Sequence, residues 1–478
     1  MSDEPRKFYI TTPIYYVNDK PHIGSAYTTI AADVIARLHR QLGEDVFFLT
    51  GTAEHGDKIA GSADKAGKEV QKFVDEMSAK FSFAWDQLGI APDDFIRTTE
   101  QRHVDAVVLF FKKLKESGKI YEGEYEGLYC VAHEAFIKES DLVNGLCPDH
   151  KTKPDKIKEK NWFFKLSDYQ GVLIEKIEND ELSIRPHERK NEILSFLKHG
   201  LEDISISRQK AKFAIPLPWD ENQRIYVWMD ELFNYCSAIG YGADQERFHK
   251  YWPADAQLMG KDIIKFHCVI WPALLLAIGE EIPKKIVAHG FFTVDGQKMS
   301  KTIGNVIDPN DWVAKYGADA VRYFLLREVP FGQDGDVSEE KLKLRYNGDL
   351  ANGLGNLFSR VTNMIEKYLD GDIGDFIKSP KDLSAASDAF YNFDFSEGLV
   401  LIWKEIAWAN QLIDRSKPWE LVKTEPDKVK ELLLNLSALL YDIAKKLAPI
   451  MPETAQRINQ VLESGEVKKP EPLFAKID

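Results

Sequence analysis

Hydrophobic and polar residues alternate between strand-like and helix-like segments in the first part of the chain. Residues 8–12 form a β-branched and aromatic run typical of a strand, and residues 24–42, after a loop rich in Pro, Asn and Asp, are predicted to form a helix. Residues 45–49 are an apolar run typical of a strand buried on both faces. Residues 100–117 keep helical spacing and end before Gly118, where a C-cap glycine is expected. This order indicates a parallel α/β sheet.

The pattern changes twice further along the chain. From about residue 121 to 219 the segments are short, aromatic and charged, which indicates an insertion, and strands at 224–228, 256–260 and 285–289 are expected to resume the sheet. Beyond about residue 346 the strand signals vanish, and apolar residues follow helical spacing at Leu432, Leu436, Leu440, Ile443 and Leu447. The predicted fold class is therefore α/β, with a split Rossmann-type parallel sheet followed by an all-α helical bundle.

Composition limits the class of protein. A chain of 478 residues is too long for one hydrophobic core, so about two to four domains are expected. Its 44% hydrophobic and 29% charged residues are ordinary for a soluble protein, and no apolar run approaches the roughly 18 residues of a membrane span. The N-terminus lacks the apolar core of a signal peptide, which favours a cytoplasmic location. A net charge of −14 means that any nucleic acid would need a local basic surface.

The four cysteines are too few for a disulfide scaffold, but two of them have a metal-like spacing. Cys130-x-x-His133 and Cys147-x-x-His150 lie in the predicted insertion. Two such pairs separated by a loop fit one tetrahedral zinc ion, which would be structural because protein fills all four positions. The alternative is two short pairs that coincide by chance.

Two polar motifs indicate phosphate chemistry. In the first, Pro21-His22-Ile23-Gly24-Ser25, the amides and dipole of a helix start favour an anion, His22 can donate to a phosphate oxygen, and Gly24 lets a nucleotide approach the backbone. The second, Lys298-Met299-Ser300-Lys301-Thr302, follows a predicted hairpin whose Asp295-Gly296 turn favours type I′ geometry. Its two lysines can neutralise charge on departing pyrophosphate. Taken alone, each motif also fits a plainer role, as a helix-capping histidine turn or a solvated lysine loop.

In this order, the two motifs resemble the HIGH and KMSKS sequences of class I aminoacyl-tRNA synthetases. The resemblance extends over nearly the whole chain to methionyl-tRNA synthetases, through stretches that include FYITTPIYYVNDKPHIG, FFLTGTAEHGDKI, IYVWMDELFNYCSAIGY, LMGKDIIKFHCVIWPALL and HGFFTVDGQKMSKTIGNV. It implies a two-step reaction. L-methionine and ATP, with Mg²⁺, form methionyl-adenylate and pyrophosphate, and the methionyl group then passes to the 3′-terminal adenosine of tRNA(Met).

The resemblance also assigns roles to residues. It implies catalytic roles for His22, Ser25, Lys298 and Lys301, which also bind ATP together with Gly24, Lys261 and Asp262. It puts Arg208 near the amino-acid end and implies a thioether-friendly methionine pocket lined by Pro13, Ile14, Tyr16, Trp228, Glu231, Leu232, Tyr235, Ile263 and His267. Anticodon reading is expected from Asn356, Arg360 and Trp419. Isolated side chains of these kinds would more simply be assigned to core packing or surface ion pairs.

The resemblance suggests five segments. They are the first half of the catalytic domain (1–120), a connective insertion with a zinc knuckle (121–220), the second half of the catalytic domain (221–305), a stem-contact segment after the lysine loop (306–345) and a helical anticodon-binding domain (346–478). The chain stops soon after residue 474, short of the C-terminal domain through which some relatives dimerise. A monomer is therefore expected.

Three positions depart from the family pattern. Ser25 stands where the family usually has a second histidine, Ala53 where it typically has an aspartate that holds the substrate ammonium, and Glu231 where it usually has alanine. One acid is lost and one is gained around a single ligand. We therefore hypothesise that Glu231 supplies the missing carboxylate, pairing with the ammonium or with Arg208. The alternative is a Glu231 side chain that points into solvent.

Three rival functions share some of these sequence features. A class I synthetase for an aliphatic amino acid would share the ATP motifs, but it would lack the set of Trp228, Tyr235 and His267 and would carry a large editing insertion. A different kind of HIGH-bearing nucleotidyltransferase would lack the helical last third. A paralogue that binds tRNA without activating an amino acid is favoured by Ser25 and Ala53.

Overall fold

The computed structural model describes residues 5–130, 135–137, 139–148, 151–209, 211–299, 304–374 and 385–477. These residues form two compact units. The first contains the described residues up to Pro21, His39–Phe83 and Ala91–His289, and the second contains His22–Leu38, Ala84–Ile90 and the described residues from Gly290 onward. The five segments expected from the sequence divide the chain differently and stay predictions.

The N-terminal part alternates strands and helices, as its hydrophobic pattern predicts. Its elements are β1 Lys7–Thr11, β2 Tyr15–Tyr16, α1 Ile23–Gln41, β3 Asp45–Ala53, α2 Asp57–Lys65, α3 Val70–Gln87, β4 Asp94–Arg97 and α4 Gln101–Glu116. The helix predicted at 24–42 is confirmed as α1. The strand predicted at 45–49 continues to Ala53 as β3, and all of its residues after Asp45 are buried. Gly118 has φ +68°, the left-handed conformation expected of a C-cap glycine.

The middle of the chain is mainly antiparallel. Its elements are β5 Ile120–Cys130, β6 Ala135–Ile137, β7 Asp155–Phe164, α5 Gln170–Glu178, β8 Ser183–Arg185, α6 His187–Lys198, β9 Ile204–Ser205, β10 Ser207–Arg208, β11 Pro216–Leu217 and β12 Asp220–Ile225. Strands β5 and β7 form a long ribbon flanked by β6 and β9, and β10, β12 and β11 form a smaller sheet. A further set of elements follows, namely α7 Val227–Leu232, α8 Asn234–Ser237, α9 Gln245–Tyr251, β13 Ala256–Gly260, α10 Trp271–Ala277 and β14 Lys285–His289.

A parallel sheet forms the core of the first unit. Its strands lie in the order β2-β3-β1-β13-β14-β8, β4 also pairs with β3, and all of these pairs are parallel. The strands predicted at 256–260 and 285–289 are confirmed as β13 and β14. The edge strand β8 comes from within the predicted insertion, so that segment completes the sheet instead of only interrupting it.

The prediction that residues 224–228 form a strand of this sheet is wrong. There, β12 ends at Ile225 in the small antiparallel sheet, and the helix α7 begins at Val227. A short aromatic and β-branched run fits a buried strand or a buried short helix equally well, because both present apolar side chains on every face. The parallel sheet resumes only at β13.

The part of the second unit that follows β14 starts with a small sheet. Its first elements are β15 Phe292–Val294, β16 Gln297–Lys298, α11 Pro309–Tyr316, α12 Ala318–Glu328, β17 Gly335–Val337 and α13 Glu339–Arg345. Asp295 and Gly296 have φ of 51° and 74° between antiparallel β15 and β16, which confirms the predicted type I′ turn.

Helices are the only regular elements in the described chain after β17. Beyond α13 and a π-helical stretch at Tyr346–Gly355 they are α14 Asn356–Leu369, α15 Ala385–Tyr391, α16 Phe395–Ser416, α17 Pro418–Leu421, α18 Pro426–Leu447 and α19 Pro452–Leu462. Four of the five apolar positions predicted on α18 are buried, whereas Leu432 is half-buried beside the buried Leu433. Within the described ranges, every helix is too short or too polar to cross a lipid bilayer.

A buried ion pair ties α1 to the C-terminal helices within the second unit. Arg322 of α12 donates from Nη2 to Asp33 Oδ2 at 2.7 Å, and both residues are 0% exposed. The same guanidinium donates to the carbonyl oxygens of Ile450 at 2.7 Å and of Pro449 at 2.8 Å. Asp33 also accepts a bond of 2.7 Å from Arg37 Nε, so its charge has two cationic partners. The middle of α1 is therefore fixed to the turn between α18 and α19.

Candidate functional site

The carboxyl edge of the parallel sheet carries one group of predicted site residues. Strand β1 pairs with β3 on one side and with β13 on the other, so the chain leaves β1 at a point where the strand order reverses. Ligands of open α/β sheets bind beyond the carboxyl ends of the strands at such a point. Pro13 and Ile14 follow β1, and Lys261 to Ile263 follow β13. Asp262 folds over Gly260, where an added Cβ would lie 2.6 Å from Asp262 Oδ1.

Tyr235 and His267 form the polar centre of the predicted methionine pocket. The Tyr235 hydroxyl lies 2.7 Å from His267 Nε2, and His267 Nδ1 lies 3.0 Å from the carbonyl oxygen of Ile263. A carbonyl only accepts, so Nδ1 carries the proton and Nε2 accepts from the phenol. Burial lowers the pKa of His267 to about 4, so this imidazole is neutral at physiological pH.

Aromatic and aliphatic side chains surround that centre. Trp228 stacks on Phe266 with ring centroids 3.9 Å apart. Ile14 and Leu232 are buried, whereas Trp228 and Tyr16 are only partly buried. The sheet pairs Tyr16 with Ala53 at the end of β3, so Ala53 lies beside a predicted pocket residue. The residues of the predicted methionine pocket therefore combine apolar walls with one hydrogen-bonded tyrosine–histidine pair.

Glu231 is buried close to the same phenol. The residue is 5% exposed, so the alternative of a solvent-facing side chain is wrong. Burial raises the pKa of Tyr235, the hydrogen bond with Asn234 lowers it, and the negative charge of Glu231 raises it again. Arg208, the other partner considered for Glu231, donates from Nε to Glu159 Oε2 at 2.9 Å.

Asp230, which was not predicted from the sequence, bonds two histidines in the first unit. The carboxylate is fully buried and accepts from His55 Nδ1 at 2.7 Å and from His103 Nε2 at 2.8 Å. Burial alone would raise its pKa, but the charge of His55 and the bonds from both histidines hold the pKa at about 2. His103 also bonds Ser237 Oγ through Nδ1, at 2.8 Å. The available signal was an aspartate in the largely apolar stretch VWMDELF, because a carboxylate buried there needs hydrogen-bond donors.

The histidine turn forms the N-terminus of α1 in the second unit. His22 Nδ1 accepts from the amides of Gly24 at 3.1 Å and Ser25 at 3.3 Å. An added Cβ at Gly24 would lie 3.0 Å from the His22 ring, so glycine leaves space for the imidazole. The Ile23 amide donates to the carbonyl of Ile307 at 3.1 Å. These amides are therefore bonded within the protein, which leaves anion binding to side chains.

The lysine loop approaches this turn within the second unit. Met299 Cε would lie 3.5 Å from a Cβ added at Gly24. Lys298 ends β16, and its side chain, like the whole of Lys301, falls outside the described residues. The described part of the loop thus lies against the histidine turn, as one triphosphate-binding region requires.

Two of the four predicted zinc ligands can be described. Cys130 and Cys147 are both buried, and neither forms a disulfide. Both lie next to Thr152, whose hydroxyl is 3.7 Å from Cys130 Sγ and whose carbonyl accepts from the Cys147 amide at 2.9 Å. His133 and His150 lie outside the described residues. Only the Cys130 contact involves a sulfur atom, so the zinc site stays a prediction.

The predicted anticodon residues lie on the helical part of the second unit. Asn356 and Arg360 share one face of α14. Asn356 Nδ2 donates to Asn410 Oδ1 at 3.0 Å, and Arg360 Nη1 donates to the same oxygen at 3.4 Å. Arg360 Nη2 also donates to Asp414 Oδ1 at 2.5 Å. Trp419 is 44% exposed, which is unusual for a large aromatic ring and suits stacking on an unpaired base.

Comparison with known proteins adds an independent line of evidence. Residues 8–156 and 150–362 match the family described as tRNA synthetases class I (M). A methionine--tRNA ligase of Thermotoga maritima is 44% identical, with 99% of this chain and 80% of the relative covered. One of Clostridium tetani is 45% identical, with 96% and 74% covered. The solved structure of Mycobacterium tuberculosis methionyl-tRNA synthetase in complex with methionyl-adenylate is 37% identical, with a TM-score of 0.91 and coverage of 99% and 100%.

Proposed function

The chain belongs to the class I tRNA synthetases for methionine, and from that premise we propose which of its residues perform each step. The reaction is the ATP-dependent ligation of methionine to tRNA. The methionine carboxylate attacks the α-phosphorus of ATP and pyrophosphate leaves. A hydroxyl of the tRNA 3′-terminal adenosine then attacks the carbonyl carbon of the adenylate, and AMP leaves. No covalent enzyme intermediate is needed, so the protein acts by positioning and charge stabilisation.

The triphosphate is bound by the second unit's histidine turn and lysine loop. His22 donates a hydrogen bond to a phosphate oxygen, and Lys298 and Lys301 neutralise the charge that builds on pyrophosphate, which travels with Mg²⁺. The observation that carries this proposal is Met299 against Gly24, because it brings the two motifs together. Lys261 and Asp262, which follow β13, are also proposed to bind ATP where the adenylate forms.

Methionine is bound by the first unit. The thioether contacts the faces of Trp228 and Tyr235, which suit a polarizable sulfur. The neutral Tyr235–His267 pair adds polar atoms without a cation that would repel the substrate ammonium. Glu231 takes the ammonium, in the role of the carboxylate that Ala53 lacks. Support for this step is the burial of Glu231, which stands four residues before the buried Tyr235 in the chain.

The remaining assignments concern the insertion, the helices and the assembly. Zinc would be held by Cys130, His133, Cys147 and His150, and when bound it would cross-link the insertion. Asn356, Arg360 and Trp419, on or near the surface of the helical bundle, read the anticodon of tRNA(Met) by hydrogen bonds and stacking. A monomer in the cytoplasm stays our expectation for the assembly and its location.

Methionine-dependent exchange of pyrophosphate into ATP tests the proposal without tRNA. The intact chain is expected to exchange, and His22→Ala should lower kcat/KM by about 100-fold, the cost of losing one donor to a transition-state oxyanion. The matched control is His249→Ala, an exposed histidine on α9, which should behave like the wild type. An intact protein that binds tRNA but exchanges no pyrophosphate would instead identify the inactive paralogue that Ser25 and Ala53 suggested.

A further inference from the structure

The first turn of α1 is closed by contacts from His22 and Ser25 to each other. In an α-helix the first amides lack partners within the helix. Here the His22 ring accepts two of them, from Gly24 and Ser25, through Nδ1. The His22 carbonyl accepts from the Ala26 amide at 3.0 Å. The imidazole is therefore the N-cap of the helix that it begins.

The Ser25 side chain in turn forms hydrogen bonds with the backbone of His22. Its Oγ accepts from the His22 amide at 3.1 Å and donates to the His22 carbonyl at 2.7 Å. The arrangement is a reciprocal capping box, with histidine in the place of the usual N-cap residue and serine in the place of the usual glutamate. Ser25 is buried, and its hydroxyl proton is directed to that carbonyl.

This arrangement selects one tautomer of His22. A ring nitrogen that accepts from two N–H groups carries no proton, so in the neutral imidazole Nε2 carries it. Nε2–H is a donor, and a donor is what a phosphate oxygen requires. The opposite tautomer would direct a bare nitrogen lone pair towards the anion and would break the cap.

We propose that Ser25 is a positioning residue, which acts on the reaction through His22 and not by binding ATP. It holds both backbone polar atoms of His22, so that Nδ1 stays on the helix amides and Nε2–H stays directed to the triphosphate. This inference rests on the proposed role of His22 and revises the ATP contact expected for Ser25 from the sequence. A hydroxyl at this position thereby contributes to phosphate binding without carrying charge.

The test uses Ser25→Ala and Ser25→Thr in the full chain, with Thr28→Ala as a control. Thr28 is a buried hydroxyl on the same helix that donates to the Gly24 carbonyl outside the cap. Spectra of protein labelled with ¹⁵N at histidine identify the His22 tautomer without substrate, and the signal is assigned by its loss in His22→Ala. Pyrophosphate exchange then gives kcat and the KM for ATP.

We expect wild type, Ser25→Thr and Thr28→Ala to show Nε2–H at His22, and Ser25→Ala to populate the other tautomer. Ser25→Ala should lower kcat roughly 10-fold, in keeping with a donor that is misplaced and not lost, and should change the KM for ATP by less than about twofold. An unchanged tautomer with a raised KM for ATP in Ser25→Ala would overturn the proposal and make Ser25 an ATP ligand. Normal exchange by His22→Ala would instead refute the proposed function, whatever the tautomer.

Discussion

The carboxylate of Glu231 offers a direct test of how this protein holds the methionine ammonium without an acid at position 53. Glu231→Gln keeps the shape of the side chain and removes its charge. It also keeps the bond of 2.7 Å from Asn234 to the Glu231 backbone carbonyl, so α7 should fold as before. A hydrogen bond to a charged partner contributes about 1.5–3 kcal/mol, and at 5% exposure little of that is screened by water. The methionine KM should therefore rise about 10- to 150-fold.

Two methionine analogues separate the ammonium from the rest of the substrate. Methioninol keeps the ammonium and lacks the carboxylate, whereas 4-(methylthio)butanoate keeps the carboxylate and lacks the ammonium. Glu231→Gln should weaken inhibition by methioninol about as much as it raises the methionine KM, and should leave the KM for ATP within about twofold. The amine-free analogue should bind both proteins alike or bind the variant better. An unchanged methionine KM, or equal losses for both analogues, would refute the assignment.

Four further outcomes are expected. Arg322→Met should cost about 3–5 kcal/mol in the free energy of unfolding measured with urea, because it removes one of the two cationic partners of buried Asp33 and the donor of two carbonyls; a cost below about 1 kcal/mol would contradict this. The pKa of His267 is about 4 in the folded protein and about 6.5 in the unfolded chain, so between these pH values the unfolded chain binds a proton that the folded protein does not. The free energy of unfolding should therefore fall by up to about 3 kcal/mol as pH drops from 6.5 to 4. In His267→Gln this part of the pH dependence should be absent. Trp419→Ala should lower tRNA charging about 5- to 150-fold with pyrophosphate exchange intact, whereas Trp408→Ala, 55% exposed, should leave both unchanged. Zinc analysis should find one ion per chain and none after Cys147→Ser; an ion retained by that variant would exclude this site.

Segments whose local pattern has one structural solution were predictable from the sequence. The apolar runs that became β13 and β14 are short and bounded by glycine or charge, and the Asp295-Gly296 turn needs positive φ at both positions, which few residues tolerate. The strand prediction for residues 224–228 was wrong for the opposite reason, because a short apolar run fits either a buried strand or a buried helix. Strand β8 was missed because a three-residue edge strand has too little periodicity to detect, and only its pairing with β14 defines it.

The residues of the site could be predicted from the sequence, but the hydrogen bonds between them could not. The motifs at His22 and Lys298 and the aromatic pocket could be named from sequence patterns. Which nitrogen of His22 or His267 carries a proton depends on the exact geometry of nearby backbone amides and carbonyls, which the sequence does not give. Asp230 was missed because its two histidine partners, His55 and His103, lie far from it in the chain. Burial also decided against a solvent-facing Glu231, which a residue type alone does not show.

The ion pair in the middle of α1 makes that helix a lever with its pivot at Asp33. Eleven residues separate Asp33 from His22, about 16 Å along the helix axis. A tilt of only about 5° at the pivot would displace His22 by about 1.4 Å, and misplacement on that scale can cost about 100-fold in rate. The carbonyls of Pro449 and Ile450 share the guanidinium that sets this pivot, so substitutions that reshape the turn between α18 and α19 should alter adenylate formation although they touch neither substrate.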